Sequence, residues 1–361
     1  MTARRRARLA GGAGLLVALV AGGALVAYPM TGDEPAPPAR VGLAAAWPDA
    51  QRAELPGNVP DGPIYHPLAF LDARTSVGTA ASPEGTHERL VLRAADGSIR
   101  ELRRRPLSAR PEFATMAVSG DDLVWTESVN GGRAEVWTAT TGGEGVRRLT
   151  RDTGDPVFYG SQWDLVVADG RAWWVAAAQD RKVTEIRSVA LSGGAVTVRR
   201  EPGTWALSAW PWLTDGPGDQ TGTRALRSLT DNRELRIETT GTELSTCVPS
   251  WCRVLVMTTG GLARIDAMRP DGTARRRIAG STASAAITDV AILDRFEILS
   301  EAAPTSDLTG TEGLLVHDLT TDRTVDVSAA SAGAFARNGI LWWATGDQDS
   351  LVWHTLDLRT V

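Results

Sequence analysis

Between Leu165 and Arg200 the chain reads LVVADGRAWWVAAAQDRKVTEIRSVALSGGAVTVRR, in which apolar runs rich in Val, Trp and Ile alternate with polar breaks. Runs of about five to seven residues are too short for helices, and β-branched and aromatic side chains suit a pleated surface. Asp169-Gly170 and Gly193-Gly194 stand at the breaks. Both dipeptides supply the positive φ angles that tight two-residue turns require, so the stretch predicts two successive β-hairpins.

The pattern recurs. The second hairpin has copies beginning at Arg89, Glu135, Glu185, Arg224, Ala263, Leu314 and Leu351, with turns near Asp96, Gly142, Gly193, Asp231, Asp271, Thr321 and Arg359. Their mean spacing of about 44 residues fits a four-stranded propeller blade. The first hairpin aligns without gaps in VSGDDLVW, VADGRAWW and ARNGILWW, which puts Trp125, Trp174 and Trp343 at one structural position. A large flat side chain at a repeated site is expected to wedge between adjacent twisted sheets. Arg103 to Arg105, Arg147-Arg148, Arg199-Arg200 and Arg275 to Arg277 all fall in the last strand of their units. Charge there is expected to protect an outer edge from pairing with other chains.

These positions predict an all-β fold, a β-propeller of four-stranded blades. Seven are expected, or six if the unit with the irregular loop Asp215 to Gly222 is incomplete. The last unit stops after three strands, so a strand from within Val41 to Leu71 is expected to complete it and close the ring.

Composition places the propeller in a cell. Arg4, Arg5, Arg6 and Arg8 precede the uncharged stretch Leu9 to Tyr28, long enough as a helix to span a bilayer. The expected layout is a cytoplasmic basic tail (1–8), a single transmembrane signal anchor (9–28), a Pro-rich linker (29–40) and an extracytoplasmic propeller (41–361). A cleaved signal peptide is the rival reading of the same stretch. The formal net charge is −5 and the first thirty residues hold four Arg and no acid, so the remainder carries −9. Such a surface argues against nucleic acid as a partner. Cys247 and Cys252 are the only cysteines. In an exported chain an even number is most simply a disulfide, with two buried thiols as the alternative.

The turns D-G, G-G and N-G, the WPWL of Trp210 to Leu213 and CVPSWCRV from Cys247 to Val254 resemble TolB-like and WD-repeat-like propellers, particularly the membrane-anchored exported propellers of actinobacteria. The resemblance covers about residues 41 to 361 and implies a fold. The separate N-terminal α/β domain of TolB and the Gly-His and Trp-Asp signatures of true WD repeats are missing, so no partner is carried over.

Chemistry is sparse. His66, His87, His317 and His354 are scattered, and no nucleophile, metal-loop or phosphate-loop motif is present. No catalytic residue, metal or cofactor is expected. Trp205, Trp210 and Trp212 are the candidate ligand-facing side chains, set against a packing role in the fourth unit. The expected function is a monomeric, non-enzymatic binding or sensing scaffold in the cell envelope whose partner is a protein or a glycan. The alternative is an exported hydrolase or lyase acting on glycan or lactone through the channel.

Overall fold

A computed structural model describes residues 40–180, 182–216, 222–304 and 306–361. The expected anchor at Leu9 to Tyr28 lies outside them. Among the described residues no helix is long and apolar enough to cross a membrane.

Seven antiparallel sheets follow one another around a ring. Blade 1 spans residues 65–106, blade 2 111–150, blade 3 155–202, blade 4 206–236, blade 5 243–280 and blade 6 283–331. Blade 7 takes its three inner strands from 334–357 and its outermost from Arg52–Pro56, which pairs antiparallel with Val352–Asp357, Arg52 opposite Leu356. The closure expected from the truncated last repeat is thus made by five residues near the start of the described chain. A further strand, Arg40–Gly42, runs parallel to the outer strand Arg323–Ser331 of blade 6. Arg40 fastens it through Asp326 at 2.6 Å and Glu301 at 2.7 Å. The fourth unit is complete, with four strands of two to four residues each, which excludes the six-bladed alternative.

Turn chemistry sets the register. Gly120-Asp121, Asp169-Gly170 and Asn338-Gly339 each form a two-residue loop between the first and second strands of a blade. In the latter two pairs both residues have positive φ, the requirement of a hairpin turn that continues the strand twist. Gly193-Gly194 departs from expectation. Both have positive φ, but the strands end at Ala190 and resume at Thr197, so the connection is longer than two residues.

Seven apolar clusters form the core, one at each junction between consecutive blades. Trp125, Trp174 and Trp343 lie on the second strands of blades 2, 3 and 7, buried against the preceding blade. They are the wedges that the aligned repeats predict.

The arginine runs lie on the fourth strands, with Arg275 just before its strand, and together with Arg100 on the same strand of blade 1 they do more than blunt an edge. Arg100, Arg147, Arg199 and Arg276 each donate from the outer strand of one blade to a carbonyl in the outer hairpin turn of the next. The acceptors are Gly142 (2.7 Å), Leu191, Leu229 (2.8 Å) and Leu319. Between blades 1 and 2, Arg103 and Arg105 also converge on buried Glu127 at 2.7 and 2.5 Å. A period of one blade is what a staple between neighbours needs. It explains why the runs recur where they do.

Candidate functional site at the ring channel

The innermost strands of the blades surround a central channel, and blade 3 breaks the pattern there. Its inner edge is two short strands, Asp155–Pro156 and Val166–Ala168, both pairing with Arg171–Ala177. The residues between them leave the sheet and enter the channel. Asp164 folds this loop on itself, its carboxylate accepting from the backbone N–H of Tyr159 (2.9 Å), Gly160 (2.8 Å) and Ser161 (3.1 Å). Burial dominates these hydrogen bonds and pushes the Asp164 carboxyl up to about 6.

The loop tip is caught by blade 6. Ser161 Oγ donates to Asp289 at 2.5 Å and the Gln162 N–H donates to the same carboxylate at 2.9 Å. Desolvation raises Asp289 above the usual carboxylate range, against the pull of these bonds. Beside it, Arg253 of blade 5 forms a buried ion pair with Glu297 of blade 6 at 2.6 Å and donates to the carbonyls of Ile287, Thr288 and Asp289. Arg337 reaches from the inner strand of blade 7 to blade 2, donating through Nη1 to Met116 O and Thr115 Oγ1. Gln162 Oε1 accepts from the backbone of Asn338. Groups from blades 2, 3, 5, 6 and 7 therefore form a polar partition across the channel.

The partition separates three chambers. At the end where the inner strands begin, a cavity of about 620 Å3 has Pro67, Leu68, Ala114, Phe335 and Trp342 among its wall residues and Gly160, Asp289 and Arg337 toward its floor. Phe335 is 50% exposed there, a large apolar side chain open to solvent, and stacks on Trp342 with ring centroids 5.7 Å apart. A neighbouring chamber of about 290 Å3 lies against Tyr159, Asp164 and Arg253. The third, about 260 Å3, lies beyond Arg337 at the hairpin-turn end.

Trp205, Trp210 and Trp212 stand elsewhere. Trp205 is buried between blades 3 and 4, donating Nε1 to Pro202 O at 2.7 Å. Trp212 is buried between blades 4 and 5 beneath the Arg233 guanidinium, 4.9 Å from its ring. Trp210 is half-buried, its ring 4.6 Å from that of Trp173. Cys247 and Cys252, register partners on the first two strands of blade 5, are joined in a disulfide. Among the described residues no three His, Cys, Asp or Glu side chains converge as metal ligands. The partition residues carry no motif. The signal available for them is the extra length of the third repeat between Arg151 and Val166.

No protein-family model and no curated protein matches the sequence. Solved structures do match in shape. Oligogalacturonate lyase in complex with manganese superposes with a TM-score of 0.50 at 11% identity, over 86% of this chain and 98% of that one. A prolyl endopeptidase gives 0.49 at 15% identity, over 77% of this chain and 45% of that one. TolB from Acinetobacter baumannii gives 0.37 at 16% identity, over 58% of this chain and 52% of that one. The chain thus spans about half the length of the prolyl endopeptidase and TolB chains. At these identities the likeness concerns the fold, and the seven blades themselves establish the propeller.

Proposed function

We propose that this chain is a binding propeller of the cell envelope. It is tethered by Leu9 to Tyr28 in the manner of the membrane-anchored exported propellers of actinobacteria, and it engages its partner or ligand at the channel mouth without catalysis. The observation that carries the reading is the mouth cavity: an open chamber of about 620 Å3, walled by exposed Phe335 and apolar neighbours and floored by polar groups. A concave apolar site with a few convergent polar groups is the usual form of a ligand site. The disulfide supports an oxidising compartment.

The alternative, a hydrolase or lyase, asks for a carboxylate free to move a proton. Asp164, Asp289 and Glu297 are the channel acids that burial raises, yet the first two accept hydrogen bonds that hold the channel loop in place and Glu297 is paired with Arg253 and accepts from the Ala291 N–H. The geometry of all three favours a structural role over general acid chemistry.

A photo-crosslinking residue at position 335 in cells should form a discrete adduct. The same residue at exposed position 104 on the outer strand of blade 1 should not. Equal adducts from both positions, or none from 335, would overturn the reading.

A further inference from the structure

We propose that Arg337 is the anchor of a small-molecule site in the mouth cavity, one that takes a monocarboxylate with an apolar or aromatic body. The proposal rests on the reading of the mouth as the binding face and adds the ligand's chemistry.

A guanidinium presents five N–H donors in a planar fork. In Arg337 the described protein engages Nη1, through Met116 O and Thr115 Oγ1. Nε and Nη2 have no hydrogen-bond partner among the described residues. Asp289 and Asp164 lie near enough to act on the Arg337 charge but form no contact ion pair with it. The side chain is therefore fixed at one nitrogen and electrostatically balanced, with the Nε and Nη2 edge unmatched. That edge is the one a carboxylate meets through two parallel hydrogen bonds.

The surroundings select among anions. Two acids beside the guanidinium oppose a dianion such as phosphate more strongly than a single negative charge. Phe335 and Trp342, stacked 5.7 Å apart, and Leu68 supply an apolar wall of the same cavity. A volume of about 620 Å3 falls within the usual range for small-molecule sites, roughly 300–1,000 Å3. A planar monoanion joined to an aromatic or aliphatic body matches both the floor and the wall.

The probe is 3-(4-fluorophenyl)propionate, followed by fluorine NMR with the purified full chain in nanodiscs and compared with the corresponding neutral amide. The acid should bind at least ten-fold more tightly than the amide. Arg337→Met should weaken the acid by roughly ten- to hundred-fold, the scale of a lost charge-assisted pair, and weaken the amide by only about two- to five-fold, the scale of a neutral hydrogen bond. Amide binding also reports that the variant is folded. Arg337→Lys keeps the charge without the fork and should recover only part of the affinity. Equal affinity for acid and amide would overturn the carboxylate anchor and keep the mouth as the binding face. Acid binding unaffected by Arg337→Met would place the anchor elsewhere and overturn the proposal. Binding of neither compound would overturn it as well. In that case an adduct at position 335 would still uphold the mouth as the binding face, and loss of that adduct too would remove both.

Discussion

Ser161 and Asp289 are 128 residues apart in the chain and three blades apart in the ring, and their side chains meet in a 2.5 Å hydrogen bond inside the channel. The bond joins two inner edges that no sheet connects. Ser161→Ala leaves Asp289 with the Gln162 N–H as its partner from the loop. The loss should be about 1.5–3 kcal/mol, the range for a hydrogen bond to a charged group. It should appear as a lower urea midpoint at unchanged slope. A midpoint equal to that of the parent chain would mean the loop is held by its backbone contacts alone.

The channel also sets a pH dependence. Asp164 titrates near 6 in the folded chain because it is buried, against about 3.9 when unfolded. Between those values the native state binds more protons than the unfolded one. Stability therefore falls as pH rises from about 4 to 6 and is level above that. The difference of about two pH units sets an upper scale of ~3 kcal/mol. Asp289, raised by the same cause, acts in the same direction. Glu243 and Asp61, held low by Arg275 and Arg89, act in the opposite sense, and their contribution disappears only as the pH falls through their folded values. Relative to Asp164→Asn, the parent chain should lose stability between pH 4.5 and 7. A constant difference across that range would refute the assignment.

Ring closure is testable by truncation. Removing residues through Gly57 deletes the outer strand of blade 7, exposes the edge of Val352–Asp357 and should lower the melting temperature by roughly 10 °C or more. Removing residues 1–42 takes away, among the described residues, the parallel strand on blade 6 and should cost the propeller much less. Similar melting temperatures for the two truncations would contradict this order.

The arginine staples occupy separate junctions and should behave independently. Each of Arg100→Ala, Arg147→Ala, Arg199→Ala and Arg276→Ala should cost about 1 kcal/mol. The quadruple variant should lose close to the sum, because the sites share no partner. A quadruple loss well below the sum, read from denaturant midpoints, would show that the staples report on one coupled outer surface.

Much of this architecture is written locally. Asp169-Gly170 and Asn338-Gly339 dictate turns, Trp125, Trp174 and Trp343 repeat at one position, and the missing last strand implies its replacement from the other end of the domain. Each signal involves residues close in sequence or equivalent by repetition. The channel partition has neither property. Ser161 meets Asp289, and Arg337 meets Met116 221 residues away, so no window of sequence contains both members of a pair. Arg337 also stands directly before the Asn338-Gly339 turn, and nothing in its local sequence marks it as a channel residue. Trp205, Trp210 and Trp212 are clustered in sequence yet packed or half-buried between blades, whereas Phe335, the exposed aromatic of the mouth, stands alone in sequence.

The strand pairing that closes the ring also dictates the order in which the molecule is assembled. Ala53 donates its N–H to Thr355 Oγ1, 302 residues further along. During synthesis the strand Arg52–Pro56 therefore has no partner until all seven blades have been made. Closing so long a loop carries an entropy cost that grows with the logarithm of its length, and such non-local pairing is slow. Until then the chain is an open arc with an unpaired strand at one end, exposed to wrong pairings. Joining of the first and last strands can therefore follow only after the last blade has been made.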